Sequence, residues 1–377
     1  MKILFLYYSP WWNATAYYGI TLAYGLRKAG HSVWFGTNPA VPAAQKVRDY
    51  GIPVYPCKIQ SVNPFAAFGE ARRLARFIAA EHIDIVYTLS PQGHIIHFIS
   101  VRLCGVETPL IRACCDVREP KNHFFNRYLY IRCTDWLIFP CRANFERYYR
   151  VLKFQPQKTS VIYAGIDVQQ FDTNKSEPFV RNRFNIPDTA PIIGIAARLS
   201  PEKGHRHFLY VASKVLAKVK NVHFVIAGKE EQISIPSLQE LAHSLHIAEN
   251  IHFTGYLSDP RGMMEECTIG VITSRFSETI SRALLEFMAS GKPVIAANVN
   301  VLSEVIQQAQ AGMVFDKDDI NGMADGIITL LTDRAVYDEC SKNGRSAVEN
   351  QYSLDTFVRE TESVLTNILN TSGKVEG

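Results

Sequence analysis

The sequence predicts an α/β protein built from two doubly wound parallel sheets. Three observations carry that expectation. Short apolar runs of strand length alternate with segments of helical period along almost the whole chain. The length of 377 residues exceeds one ordinary domain and suits two. A mostly polar stretch at 173–190, with Pro178 and Pro187 inside it and Pro191 just beyond, breaks the alternation, which then restarts.

Taken in order, Lys2–Tyr8 reads as a buried strand, Thr15–Lys28 as an amphipathic helix ending at Gly30, and His31–Gly36 as the next strand. Val54–Cys57 is a short strand. Asn63-Pro64 supplies a cap and a first-turn proline for a long helix reaching about Glu81. Asp84–Leu89, Pro109–Cys114 and Trp136–Phe139 are further strands with helices between, and a strand opens at Thr159. The linker is placed at about 164–190, which gives a first domain of 1–165 and a second of 190–350. In the second, strands are expected at Ile192–Ala197, Val222–Ala227, Ile251–Thr254, Thr268–Thr273, Val294–Ala297 and Gly312–Phe315. A last helix covers about 354–370, and the polar tail 371–377 is expected to be disordered.

Composition narrows the function classes. A hydrophobic fraction of 47% is ample for two cores. The eight cysteines, at 57, 104, 114, 115, 133, 141, 267 and 340, form no C-x-x-C and mostly sit in apolar runs. They read as reduced thiols of a cytoplasmic protein. The opening MKILFLYYSPWW reads as a first strand rather than a signal peptide. No run reaches the ~18 apolar residues of a membrane helix. The net charge of +4 hides an asymmetry. Residues 1–165 hold 20 Lys/Arg against 9 Asp/Glu (+11), and the remainder holds 20 against 27 (−7). A basic first half suits an anionic partner or surface. Within 101–160 the balance is 11 against 5, interleaved with Phe124, Phe125, Tyr128, Tyr130, Phe145, Tyr148, Tyr149 and Phe154. One reading is a basic and aromatic face, carrying Arg147, Arg150 and Lys153, at the inner face of a membrane. The other is that these aromatics are core and the charges merely solvated.

The segment from Ser274 to Ala296 carries most of the chemistry. After the apolar run Ile269–Thr273, Glu278 closes a short loop, and Ile280, Leu284, Phe287 and Met288 fall at helical spacing up to Ser290-Gly291. Glu286 lies roughly a turn and a half into this helix, and its side chain leans toward the helix start that Glu278 borders. The N–H groups of Thr279, Ile280 and Ser281 are expected at that start. Two carboxylates beside an anion-accepting helix end suit a ligand with both hydroxyls and phosphate, such as a nucleotide sugar. The plainer alternative makes Glu278 a helix cap and Glu286 a solvated surface residue. Arg198 and Lys203, in AARLSPEKG, flank a strand-to-helix turn at the same end of the sheet. Arg by its fork and Lys as a point charge suit a diphosphate; otherwise both are solvated.

The spacing E-x7-E at Glu278 and Glu286, followed by LLEFMASGKPVIA and preceded by ARLSPEKG, resembles the retaining glycosyltransferases of the GT-B fold, family four. The resemblance extends over nearly the whole chain. It implies two Rossmann-like domains facing a cleft, with the last helix crossing back to the first. It further implies transfer of a sugar from a nucleoside diphosphate-sugar donor to a glycan or lipid-linked glycan hydroxyl, as in cell-surface polysaccharide or lipopolysaccharide synthesis. On that resemblance Arg198 and Lys203 bind the donor pyrophosphate, Glu278 the transferred sugar, and Glu286 the ribose. Gly228, after the strand Val222–Ala227, is similar to the family's donor-side glycine.

Two departures stand out. The loop Ser9–Ala16 has Asn13-Ala14 where the family usually has Gly-Gly, leaving Asn13 as a hydrogen-bond donor to the donor phosphate. Trp11 and Trp12 in that loop line an acceptor site or pack inward. The family's usual His aligns with Cys115, leaving Asp116 and Arg118 as nearby polar groups. Asp116 then binds a sugar hydroxyl or caps a helix. No catalytic metal or other cofactor is expected. His94 and His97 lack completing ligands, and Asp316-Lys317-Asp318 reads as a turn before a helix cap. No nucleic-acid module is present, so a nucleic-acid partner is not expected. A non-hydrolysing nucleotide-sugar epimerase and an inactive nucleotide-sugar-binding protein are the alternative readings.

Overall fold

The computed structural model of the chain describes residues 1–60, 63–171, 179–276 and 278–371. The chain divides into two units, Met1–Gly165 with the helix from Leu354, and Ile166–Ser353. The second begins at Ile166, near the start of the expected linker, because Ile166 bridges to Ser353 and its N–H donates to the Tyr352 carbonyl. The rest of that linker falls partly on 172–178, outside the described residues. So does the tail after Thr371, which closes the last helix.

In the first unit the strands are β1 Lys2–Leu6, β2 Ser32–Thr37, β3 Val54–Pro56, β4 Ile85–Thr88, β5 Leu110–Ala113, β6 Trp136–Phe139 and β7 Thr159–Val161. The helices between them are α1 Ala14–Lys28, α2 Pro42–Asp49, α3 Pro64–Glu81, α4 Pro91–Cys104, α5 Phe124–Arg132 and α6 Arg142–Leu152. The sheet is parallel throughout, in the order β3-β2-β1-β4-β5-β6-β7. Central strands carry continuous apolar runs, as a sheet covered on both faces requires; Ile3, Leu4, Phe5 and Leu6 are fully buried.

The second unit holds α7 Phe179–Phe184, β8 Ile192–Ala196, α8 His205–Lys218, β9 His223–Ala227, α9 Ile235–Ser244, β10 Ile251–Gly255 and α10 Arg261–Glu266. It continues through β11 Ile269–Ile272, α11 Arg282–Ala289, β12 Val294–Ala297, α12 Val301–Ala309, β13 Gly312–Phe315, α13 Ile320–Thr332 and α14 Arg334–Asn350. Its sheet is also parallel, in the order β10-β9-β8-β11-β12-β13. The final helix, α15 Leu354–Thr371, packs on α1 of the first unit. The rings of Tyr18 and Phe357 stand 4.7 Å apart, and His31 meets Glu362 at 2.6 Å.

Most aromatics of α6 are core rather than a surface face; Tyr149 alone of them is exposed. Tyr148 and Phe154 are buried with Tyr130 against β6, and Phe145 packs on the same cluster. The reason is the helical period: positions 145, 148 and 152 share the side that faces the sheet. Arg150 and Lys153 are left exposed, while Arg147 donates to the Val117 carbonyl. All eight cysteines are free, and burial pushes the Cys57, Cys114 and Cys267 thiols up to about 12. No helix among the described residues is long and apolar enough to cross a membrane.

Candidate functional site

The strand order fixes where a site can form. In the second sheet β8 lies between β9 and β11. The chain works outward from β8 on one side and from β11 on the other. A crevice therefore opens at their carboxyl ends, the usual ligand position in such sheets. Bordering it are Arg198–Gly204 on one side and Thr273–Phe276 with Glu278 on the other, within the two polar segments singled out in the sequence.

Local chemistry locks these loops together. Pro201–Lys203 forms one 3-10 turn, and Gly204 follows at φ +72°. A Cβ on residue 204 would lie 1.9 Å from the Thr273 carbonyl oxygen, so the approach requires glycine. The Thr273 hydroxyl donates to the carbonyls of Lys203 (3.1 Å) and Gly204 (2.9 Å). The Arg275 N–H donates to the Glu202 carbonyl at 2.8 Å.

This stitching brings Lys203 to Glu278. The Lys203 ammonium donates to Glu278 Oε1, and the Ser274 hydroxyl donates to the same oxygen at 2.7 Å. Glu278 is only 7% exposed. A carboxylate so buried needs such partners, because desolvation disfavours its charge. The Glu278 carbonyl in turn accepts from Val301 N–H at the start of α12. Beneath the site, burial drives the His205 imidazole down to about 4, so it is neutral.

Glu286 is buried too, at 3%, and the solvated alternative fails. Arg282 Nε donates to its Oε1 at 2.5 Å. Burial raises the carboxyl above its ordinary range, against the pull of Arg282 and, more weakly, Arg261; Asp259 pushes the same way as burial. The expected helix start is corrected. α11 begins at Arg282, with Ser281 as its cap in extended conformation. Thr279 and Ile280 precede the helix and are buried. The N–H groups of Thr279 and Ile280 therefore lie ahead of the helix, while that of Ser281, the cap residue, belongs to the helix start.

Arg198 and Lys203 each have an acidic partner. Arg198 Nη1 meets Glu231 at 2.7 Å in an exposed pair, and Lys203 meets Glu278. Both cations also act on Glu202, whose carboxyl is held below its usual range first by the Ser200 hydroxyl. Gly228 has a packing reason of its own: a Cβ there would stand 1.8 Å from the Ala197 carbonyl oxygen. Asp318 pairs with Arg275 at 2.5 Å, and Asp319 caps α13. Among the described residues no group of three or more His, Cys, Asp or Glu is arranged to hold a metal.

The remaining candidates lie in the first unit. Asn13 caps α1: its Oδ1 accepts from Ala16 N–H (2.9 Å) and Tyr7 hydroxyl (3.0 Å), and its amide donates to Ser9 Oγ (3.0 Å). Its polar atoms thus serve the loop itself. Asp116 caps no helix; α5 starts at Phe124 with His123 as cap. It is instead the counter-ion of the fully buried Arg112, at 2.5 Å, and remains 40% exposed. Trp11 is exposed at 69%, so it does not pack inward.

Three residues of the site were not singled out beforehand. Ser274 and Arg282 each sit four positions before the glutamate they bond, a spacing legible in the sequence. Asn300, between β12 and α12, adopts φ 41°, ψ −114°, a conformation suited to glycine, and no residue pattern announces it.

Comparison with known proteins agrees with this architecture. Residues 176–347 match the family model for glycosyl transferases group 1, and residues 16–170 match that for glycosyltransferase family 4. The chain is 25% identical over 240 residues to the O-antigen biosynthesis glycosyltransferase WclY of Escherichia coli, covering 63% of this chain and 64% of that one. It is 24% identical over 320 residues to the N,N'-diacetylbacillosaminyl-diphospho-undecaprenol alpha-1,3-N-acetylgalactosaminyltransferase of Campylobacter jejuni, covering 79% and 82%. The chain spans about half to two thirds of the length of several curated relatives it matches. An Anabaena protein solved in complex with UDP-glucose superimposes with a TM-score of 0.80, at 20% identity over 97% of this chain and all of that one. That likeness is one of fold, and the fold is GT-B.

Proposed function

Because the chain belongs to the group 1 glycosyl transferases, we propose that it moves a sugar from a nucleoside diphosphate-sugar to a hydroxyl of a glycan or lipid-linked glycan, with retention at the anomeric carbon. The observation that carries this reading is the pairing of buried Glu278 with Lys203 at the switch point of the second sheet. Glu278 holds hydroxyls of the transferred sugar. Lys203 and Arg198 neutralise the departing diphosphate. Glu286, the second buried carboxylate, holds the ribose hydroxyls. Asp116, the exposed end of the Arg112 pair, offers a carboxylate to a sugar hydroxyl.

In the reaction the bond from the anomeric carbon to the diphosphate oxygen breaks through an oxocarbenium-like state. The acceptor oxygen bonds to the same carbon, and its proton passes to the diphosphate oxygen. No protein nucleophile is needed. Negative charge grows on the leaving group, so fixed cations beside it lower the barrier more than they stabilise the bound donor. The setting we favour is cytoplasmic synthesis of a cell-surface polysaccharide or lipopolysaccharide. The relatives named for O-antigen synthesis and for a diphospho-undecaprenol acceptor support it.

The test is turnover with a panel of nucleotide sugars, uridine donors first, with and without polyprenyl-diphosphate-sugar acceptors, and proton NMR of the product anomer. An inverted anomer would refute retention. Conversion of donor to an epimer without acceptor would favour an epimerase, and donor binding without turnover on any acceptor a binding protein.

A further inference from the structure

Helix α11 carries its charges against its own dipole. Arg282 is its first residue, in a first turn that holds no acidic side chain, and Glu286 follows four positions later. A cation at a helix N-terminus is unfavourable, and a basic residue ahead of an acidic one is the weaker order at this spacing. Glu286 is also buried, at 3%, where a charge loses its water. A buried ion pair adds little to stability once that loss is counted, and an apolar pair would serve the fold as well. The charges therefore point to a ligand.

The contact is one-sided. Arg282 Nε donates to Glu286 Oε1 at 2.5 Å, and no described residue donates to Oε2. The Arg282 side chain is itself 38% exposed. The other charges near Glu286 are committed elsewhere. Arg261, at the start of α10, donates from Nε to both oxygens of Asp259 (2.8 and 2.9 Å) and from Nη1 to the Gln170 carbonyl (3.1 Å). β11 and β12, which also pack on α11, are apolar throughout. From α14, Arg345 reaches the Ala289 carbonyl at the far end of α11 and pairs with Glu349. Arg282 is thus the one described cation hydrogen-bonded to the Glu286 carboxylate.

We propose that Arg282 is a positioning residue for the donor nucleotide: its guanidinium fixes Glu286 Oε1 and so aims Oε2 at the ribose hydroxyls. This rests on the reading of Glu286 as the ribose-binding carboxylate and adds the residue that sets its aim and its charge. With Oε1 held, the carboxylate is ordered before the nucleotide arrives, which lowers the cost of binding. The guanidinium also keeps the carboxylate ionised against burial, so that Oε2 accepts hydrogen bonds rather than carrying a proton.

The experiment is titration calorimetry of the full chain with UDP, GDP and ADP at pH 8 and pH 6, then with the 2′-deoxy analogue of the tightest. Wild type should bind the ribonucleotide roughly tenfold or more tightly than its 2′-deoxy form, which leaves Oε2 short of a donor. Relative to wild type, Arg282→Ala should bind the ribonucleotide roughly threefold more weakly at pH 8 and roughly tenfold or more at pH 6. The sign follows from burial: without the cation the carboxyl rises further and takes up a proton as pH falls. The same variant should lose most of the discrimination against the 2′-deoxy form. Arg282→Lys keeps the charge without the planar fork. It should restore the pH profile but not the discrimination, and it decides the matter if Arg282→Ala does not fold. Adding Arg282→Ala to Glu286→Ala should weaken binding no further than Glu286→Ala alone. Arg334→Gln, which breaks an exposed pair of the same spacing at the start of α14, should change nothing. If Glu286→Ala binds as wild type, or wild type binds none of the three nucleotides, the ribose reading fails and this inference with it. If Glu286→Ala weakens binding but Arg282→Ala matches wild type at both pH values, the inference alone fails. A loss in Arg282→Ala that is equal at both pH values, with discrimination intact, overturns it too and leaves Arg282 a structural residue.

Discussion

Lys203 and Glu278 lie 75 positions apart and meet side chain to side chain, with the Ser274 hydroxyl on the same carboxylate oxygen. The contact joins the loop after β8 to the loop after β11 across the switch point of the sheet. It also puts the cation that suits a diphosphate on the carboxylate that suits the neighbouring sugar.

The first prediction concerns the two cations. Lys203→Ala or Arg198→Ala should lower turnover by roughly 10² to 10³, the usual loss for a transition-state donor. Lys203→Ala combined with Glu278→Ala should be far from additive, because each residue holds the other. Steady-state kinetics of the single and double variants measure this. Near-normal turnover in both single variants would remove the cations from the mechanism.

The glutamates should separate by ligand. Glu286→Ala should weaken binding of the free nucleoside diphosphate as much as binding of the sugar donor. Glu278→Ala should harm donor turnover more than binding of that product. Titration calorimetry with product and donor distinguishes them, and the opposite split would exchange the two roles.

A stability signature follows from the burial of Glu286. Its carboxyl is raised above its unfolded value, so the folded state holds the proton more tightly. Stability on this account is greatest below the unfolded carboxylate value and is lost as pH rises through the folded one. Glu286→Gln should therefore melt higher than wild type at pH 7, by roughly 2–4 °C for each kcal/mol relieved. The gap should close toward pH 4. A variant that melts lower than wild type at pH 7 would show that the Arg282 pair outweighs desolvation.

Arg198 is held by Glu231 in an exposed pair worth at most about 1 kcal/mol. Glu231→Ala frees the guanidinium. Nucleoside diphosphate should then bind up to about fivefold tighter. Weaker binding would mean that Glu231 orients Arg198 rather than competing for it.

Asn300 holds φ 41°, ψ −114° at the carboxyl edge, one residue before the N–H that bonds the Glu278 carbonyl. Such a conformation costs on the order of 1–3 kcal/mol outside glycine. Asn300→Gly should raise the unfolding midpoint in denaturant, and Asn300→Val should lower it. A drop in the glycine variant would show that side-chain contacts of Asn300 outweigh the strain.

The sequence by itself determined the elements. Apolar runs of four to six residues placed β1, β8 and β12, and Asn63-Pro64 placed the start of α3, since period and capping are local properties of the chain. The pairing of Arg282 with Glu286 was equally legible, four positions apart on one helix. Tertiary structure decided the rest. Whether Phe145 and Tyr148 faced solvent depended on which side of α6 met β6, while Phe124, in a similar basic and aromatic setting, was left exposed. The start of α11 shifted to Arg282 because Glu278, Thr279 and Ile280 are buried in the core before the helix begins. Lys203 found Glu278 only because Gly204 lets its backbone approach Thr273, a contact between loops that parallel strand order makes neighbours and that no local pattern encodes.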